Sequence, residues 1–387
     1  MSAVPVVLGQ GRGPLRGLRV VEIAGIGPGP HACMTLADLG ADVIRIERPG
    51  GQALGGGTDD LLTRGRPSVA LDLKRTEAVE VVLRLVAGAD VLVEGLRPGV
   101  AERLGLGPER CREVNERLVY GRMTGWGQDG PLAPYAGHDL TYIATAGVLH
   151  GLGQTPARPQ FPGNLLGDFG AGSTYLVIGV LAALLEARTS GQGQVVDAAI
   201  VDGAAHLSAM TYGLLGSGAA VEERASNMLD GGVPFYNVYE TSDGRHMAVG
   251  ALEPKFFSTF VSLLGVAEVC PPQDEPARYP EMRELFAATF ATRTMAEWAK
   301  VFEGTDACVA PVLRPSEAAC HPHMRARATL VRREGRIQPG PAPRFSRTDG
   351  ALSTPPSAVG TSTREALLAW GIADVDALIE SGVAVQG

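Results

Sequence analysis

The stretch LRVVEIAGIGPGPHACMTLADLGADVIRIERPGG, Leu18 to Gly51, decides the fold. LRVVEIA and DVIRIE are short, β-branched and bounded by turns, as buried strands are. PHACMTLADLG between them reads as a helix closed by Gly40. Strand, glycine turn, helix, second strand and an acidic residue, Glu47, ~20 positions past the turn nearly make the opening of a dinucleotide-binding unit. The fingerprint G-x-G-x-x-G fails at its third glycine, where Pro30 stands. Pro28 also removes a backbone N–H from the turn that would cradle a pyrophosphate. Pro30 is expected as the first residue of the helix. NAD or FAD is therefore not expected in this loop.

The alternation continues outward. SVALDL is a strand, TEAVEVVLRLVAG an amphipathic helix with Gly88 past its end, VLVEGL a strand, and RLVYGRMTGWG a strand into a loop. Strands alternating with helices imply a mostly parallel sheet covered by helices, an α/β fold. The glycine- and proline-rich loops GWGQDGPLAPYAG and GQTPARPQFPGN lead into HDLTYIATAG and LLGDFGAGS, and TYLVIGVLAALLEA (Thr174 to Ala187) reads as a buried core helix too short to span a bilayer. From about residue 230 the texture changes. VPFYNVYETSDGRHMAVGAL is a hairpin around Ser242-Asp243-Gly244. The expected organisation is a large α/β domain over 1–215, a smaller α+β domain over 225–330, and a segment 335–387, loop-rich to about 365, that returns to the large domain.

Composition sets limits. The chain has 387 residues, 45% hydrophobic, with net charge -8, which argues against nucleic-acid or anionic-membrane binding. Five scattered cysteines without a CxxC fit reduced thiols, and with no signal peptide and no peroxisomal tripeptide in GVAVQG the expected place is the cytoplasm. Cys320 to His323, CHPH, has soft-ligand types but no distant partner pair, so no metal is expected there. Neither GxSxG nor a Walker A loop occurs.

Three places carry chemistry-bearing side chains. In AGHDLTYIA, His138 and Asp139 sit at or near a helix start, where a capping Asp and a surface His would serve equally. In LLGDFGAGS, Asp168 reads as an N-cap of the long helix, among glycines that admit close approach to free N–H groups. In VGALEPKFF, Glu253 lies where a strand hands over to a helix opened by Pro254. One imidazole and two carboxylates beside permissive turns suit moving a proton on and off carbon, and two such groups on opposite faces can invert a centre.

GLRVVEIAGIGPGPHACMTLADLGADVIRIERPGG, LDLK, EGLRPGVAERLGLG, RMTGWGQDGP, GHD, GDFGAGS and GQGQVVDAAIVDG together resemble the type III CoA-transferase family, and within it the α-methylacyl-CoA racemase branch. An N-terminal extension and an insert around 50 to 60 depart from the family pattern. The resemblance implies an intertwined homodimer with a Rossmann-like large domain, and an acyl-CoA whose coenzyme A is part of the substrate, with no separate cofactor. By resemblance Ile26, Arg48, Leu71, Lys74, Gly95, Leu96 and Arg103 border the nucleotide. The same resemblance implies that His138 and Asp168 would exchange an α-proton of a 2-methylacyl-CoA thioester, with Glu253 of the partner chain orienting His138 and Asp139 supporting the network. Backbone N–H groups near Asp168–Gly172 are expected to face the enolate oxygen. Two alternatives stay open: a CoA-transferase with Asp168 as nucleophile, and a non-catalytic acyl-CoA-binding protein.

Overall fold

The computed structural model describes residues 6–51 and 57–387; the middle of the 50–60 insert lies outside the described residues. The chain clusters into two units, one of residues 1–146, 162–207 and 326–387, the other of 147–161 and 208–325. Residues 147–161 thus fall in the second unit rather than the first, because Arg224 donates to the carbonyls of His150, Thr155 and Pro156.

The first unit is built on a seven-stranded sheet. Its parallel strands are β1 Arg19–Ile23, β2 Asp42–Glu47, β3 Ser68–Leu71, β4 Val91–Glu94, β5 Val119–Thr124 and β6 Val195–Ala199. They lie in the order β3-β2-β1-β4-β5-β6. The order reverses between β1 and β4, and in an open parallel sheet the crevice at such a reversal, beyond the carboxyl ends of the strands, is where ligands bind.

Period-two alternation divides the strands between two faces. Val21, Ile23, Ile44 and Ile46 join one apolar core with Ala78, Val82, Leu85 and Val86 of the helix Thr76–Ala87. Between them Glu22 and Arg45 form a buried ion pair, to which Arg66 adds from 3.2 Å and Glu47 from 3.2 Å. Charges buried to this degree persist only when paired, as here.

The helix after β1 begins at Pro28, not Pro30, with Gly27 as its N-cap at φ 67°. Both prolines fall in the first turn, where an N–H has no intrahelical partner to lose. The core helix also starts earlier than its apolar run suggests: Leu165–Ser173 is π-helical and continues into Thr174–Ser190. The joined helix of 26 residues is, among the described residues, the one long and apolar enough to cross a membrane, by length and composition only. Nor is it wholly buried: Ile178 and Leu185 are 56% and 68% exposed.

In the second unit β7 Tyr236–Glu240, β8 His246–Gly250 and β9 Val309–Pro311 form an antiparallel sheet, the first two joined through Ser242-Asp243-Gly244. Their helices, Pro254–Leu264, Tyr279–Phe290 and Met295–Phe302, enclose an aromatic core of Phe257, Phe260, Phe286, Phe290, Trp298 and Phe302.

Back in the first unit, β10 Leu330–Arg333 pairs with β11 Arg336–Pro339, and β11 falls in the stretch expected to be loop-rich. The chain ends in β12 Ala384–Val385, antiparallel to β3.

Candidate active site

His138 is the N-cap of the helix Asp139–Thr145; its backbone N–H donates to Thr141 Oγ1 at 3.0 Å, leaving the exposed imidazole outside the cap. Asp139, the first helical residue, is 6% exposed. Its carboxylate does not cap its own helix. Instead Oδ2 accepts the backbone N–H of Asp168 at 2.7 Å, while Oδ1 has no partner among the described residues. That bond requires Gly167: a Cβ there would stand 2.5 Å from Asp139 Oδ2.

Asp168 is therefore not an N-cap; it lies inside the π-helical run, whose N-cap is Asn164. π-turns recur at functional sites. Asn164 Nδ2 donates to Asp168 Oδ2 at 3.1 Å. The Asp168 N–H is already given to Asp139, so it is not available to an enolate oxygen. Burial pushes the Asp168 carboxyl above the usual aspartate range; Asn164 opposes this, the Asp139 charge adds to it, and His138 draws it down. His138, Asp139 and Asp168 thus share one electrostatic neighbourhood.

The opening glycine loop borders the same group. A Cβ on Gly27 would come 3.2 Å from Asp168 Oδ2, so the second glycine of the failed dinucleotide fingerprint makes room for a carboxylate. Trp126 packs edge-on to Tyr142 at 4.8 Å, and glycines 125 and 137 leave the space that the Tyr142 ring fills. Burial raises the Tyr142 hydroxyl pKa, the Asp168 charge raises it further, and Arg97 opposes.

One neighbour had no signal in the sequence. His31 stacks on Phe169 at 4.6 Å and its Nδ1 lies 2.6 Å from Ser173 Oγ, at the two ends of the turn after Asp168. Burial, then the charges of Arg64 and Arg66, lower its pKa.

Of the seven residues assigned to the nucleotide by resemblance, Leu71 ends β3 and the other six follow the carboxyl ends of β1 to β4, which parallel strands bring to one edge. Ile26 is exposed in the glycine turn, and Arg48, Lys74, Gly95 and Arg103 are exposed after their strands. Leu96 is half-buried, its backbone N–H held by Glu94. Leu71 differs: its side chain is wholly inside the core, so only its backbone can meet a ligand. Glu253 is the exposed N-cap of Pro254–Leu264 in the second unit. Among the described residues no three His, Cys, Asp or Glu side chains are grouped to hold a metal.

The model of CoA-transferase family III matches residues 15–363. The chain belongs to that family. As a member of CoA-transferase family III it is 45% identical over 368 residues to the alpha-methylacyl-CoA racemase of Mus musculus, covering 94% of this chain and 95% of that protein. It is 41% identical over 360 residues to the alpha-methylacyl-CoA racemase of Homo sapiens, covering 92% and 93%. Among solved structures, a CAIB/BAIF family protein from Brucella suis superposes with a TM-score of 0.77 at 27% identity, covering 96% of this chain and 100% of that one. The mixed α/β architecture with a central parallel sheet is thus that of the type III CoA-transferase structures.

Proposed function

We propose that this chain is a racemase that interconverts (2R)- and (2S)-2-methylacyl-CoA thioesters by moving one α-proton through an enolate. The single observation that carries the reading is the 2.7 Å bond from the Asp168 backbone N–H to Asp139 Oδ2, which joins the segment of a half-buried carboxyl to the residue next to the exposed imidazole of His138. The thioester acidifies its α-hydrogen. One of the two groups takes that proton, the other protonates the opposite face, and the roles swap with direction. A carboxyl held above its ordinary range is suited to both giving and taking a proton near neutral pH. Asp139 holds the Asp168 backbone and supplies the like charge.

Coenzyme A is part of the substrate, and the thioester itself accepts the electron pair, so the reaction calls on no metal or redox cofactor. Ile26, Gly95, Leu96 and the Leu71 backbone would line the nucleotide, while Arg48, Lys74 and Arg103 would neutralise its phosphates. The β3-β2-β1-β4-β5-β6 order, which is that of doubly wound dinucleotide folds, supports the Rossmann-like reading of the large domain. The assembly we infer is an intertwined homodimer in which Glu253 of one chain orients His138 of the other, as a carboxylate orients an imidazole in a triad. Exposed Ile178, Leu185, Leu207, Met210 and Tyr212 give such a dimer apolar surface to bury.

The test is incubation of one 2-methylacyl-CoA enantiomer alone in heavy water. Inversion with deuterium uptake and no added acid supports the racemase. No inversion, but transfer to an added carboxylic acid through an intermediate that hydroxylamine traps, would support a transferase with a covalent acyl intermediate instead, the role Asp168 would take. Binding without exchange would leave a non-catalytic acyl-CoA-binding protein.

A further inference from the structure

An ionic clip with a buried Glu94–Arg122 centre sits at the carboxyl ends of β4 and β5, and the proton chemistry does not use it. Glu94, the last residue of β4, is paired in register with Arg122 of β5. They are 1% and 7% exposed. One Glu94 oxygen accepts the Leu96 N–H at 2.6 Å; the other accepts Arg122 Nε at 3.0 Å. The two terminal nitrogens of Arg122 reach Glu102, at 2.8 and 3.3 Å. Glu102 lies in the short helix Val100–Arg103, beside Arg103. One guanidinium therefore joins the end of a central strand, the turn after it and the helix beyond.

The surrounding backbone is shaped to this clip. Gly99 takes the left-handed conformation at φ 79°, and Arg103 Nη1 lies 3.2 Å from where its Cβ would be, so Arg103 folds across the turn. Gly107 leaves space for Glu102, since a Cβ there would stand 2.8 Å from the Glu102 Cγ. Two strands could be packed as well by an apolar pair; what an apolar pair cannot do is hold a polar turn in one position. A helix of four residues has too few internal bonds to hold its own shape. All three nitrogens of Arg122 donate within the protein, to Glu94 and Glu102.

We propose that Arg122 is a positioning residue for coenzyme A: by bridging Glu94 and Glu102 it fixes the 95–103 segment in the form that receives the nucleotide. This rests on the reading that the carboxyl edge of the sheet binds coenzyme A, through Gly95, Leu96 and Arg103 in this segment.

The test is titration of free coenzyme A into the full-length protein by calorimetry, beside steady-state kinetics. Glu102 is 45% exposed at its side chain, so Glu102→Ala is expected to fold with an unchanged melting temperature. Losing a charged hydrogen-bonded pair there should raise the coenzyme A Kd, and the KM for acyl-CoA with it, about five- to tenfold while kcat stays at the wild-type value. Glu102→Gln, which keeps one acceptor, should fall between. Arg122→Lys, which keeps the charge but not the fork, should match Glu102→Ala. A folded Glu102→Ala that binds coenzyme A as tightly as the wild type overturns the clip. A wild-type protein that does not bind coenzyme A overturns the functional reading, and the clip with it.

Discussion

Burial and the Asp139 charge both hold the Asp168 carboxyl above the usual aspartate range, and a substitution separates them. Asp139→Asn retains an oxygen to accept the Asp168 N–H but removes the like charge. The Asp168 pKa should then fall. Where Asp168 is the base, kcat/KM rises with pH as the carboxyl ionises, so that rising limb should move to lower pH. Where Asp168 is the acid, the falling limb should move the same way. Profiles of kcat/KM against pH in both directions check this, and limbs that stay in place would remove Asp139 from the electrostatics of the site. At this scale the residue types and their local settings were legible: His138 and Asp139 stand at a helix start, and Glu253 precedes a helix, as their neighbours require. The Asp139–Asp168 bond was not, because it joins two segments whose meeting depends on the fold. His31 gave no sign either; an imidazole on an otherwise buried helix face reads as ordinary packing.

The glycine turn after β1 and the π-helical run are the two elements that shape the site. Gly27 meets both reasons for a glycine: a left-handed φ of 67° and a carboxylate 3.2 Å from its missing Cβ. Gly27→Ala should leave the circular dichroism native, cost about 1–3 kcal/mol in backbone strain, and displace Asp168 enough to lower kcat about ten- to a hundredfold. A fully active Gly27→Ala would mean that Asp168 does not need its observed position. The strands of the parallel sheet were legible because β-branched runs between glycine turns have few other folds open to them. The π-helix was not. Gly167, Gly170 and Gly172 weaken a helix by propensity, so LLGDFGAGS reads as a glycine-rich entry to the long helix, capped by Asp168, and not as helix itself. At two of them contact overrides propensity: Gly167 admits Asp139, and Gly172 packs against Ile200, Pro28 and Met123. The β10–β11 hairpin escaped for a related reason. Its turn residues, Glu334 at φ 52° and Gly335 at φ 78°, have hairpin-turn geometry, but a glutamate there lacks the usual Asn or Asp signal.

The whole molecule divides its candidate catalytic groups between two units, His138 and Asp168 in one and Glu253 in the other. If the site is completed across a dimer, each subunit lends Glu253 to its partner. Two inactive variants should then rescue each other. Co-expressed His138→Ala and Glu253→Ala chains should form mixed dimers with one native site, and activity should return to about a quarter of wild type, assuming random pairing and equal expression. No recovery in purified mixed dimers would place Glu253 with the His138 of its own chain or outside the site. The net charge of -8 does not conflict with an anionic substrate, because the cations proposed to meet it gather at one edge of one sheet.

The most direct measurement is α-deuterium incorporation from heavy water into each 2-methylacyl-CoA enantiomer separately, by the wild type and by His138→Ala. The wild type should label both. His138→Ala should lose inversion by about a hundred- to ten-thousandfold and retain labelling of only the enantiomer whose proton faces Asp168. Labelling of both enantiomers by His138→Ala at wild-type rates would contradict a two-sided exchange between His138 and Asp168.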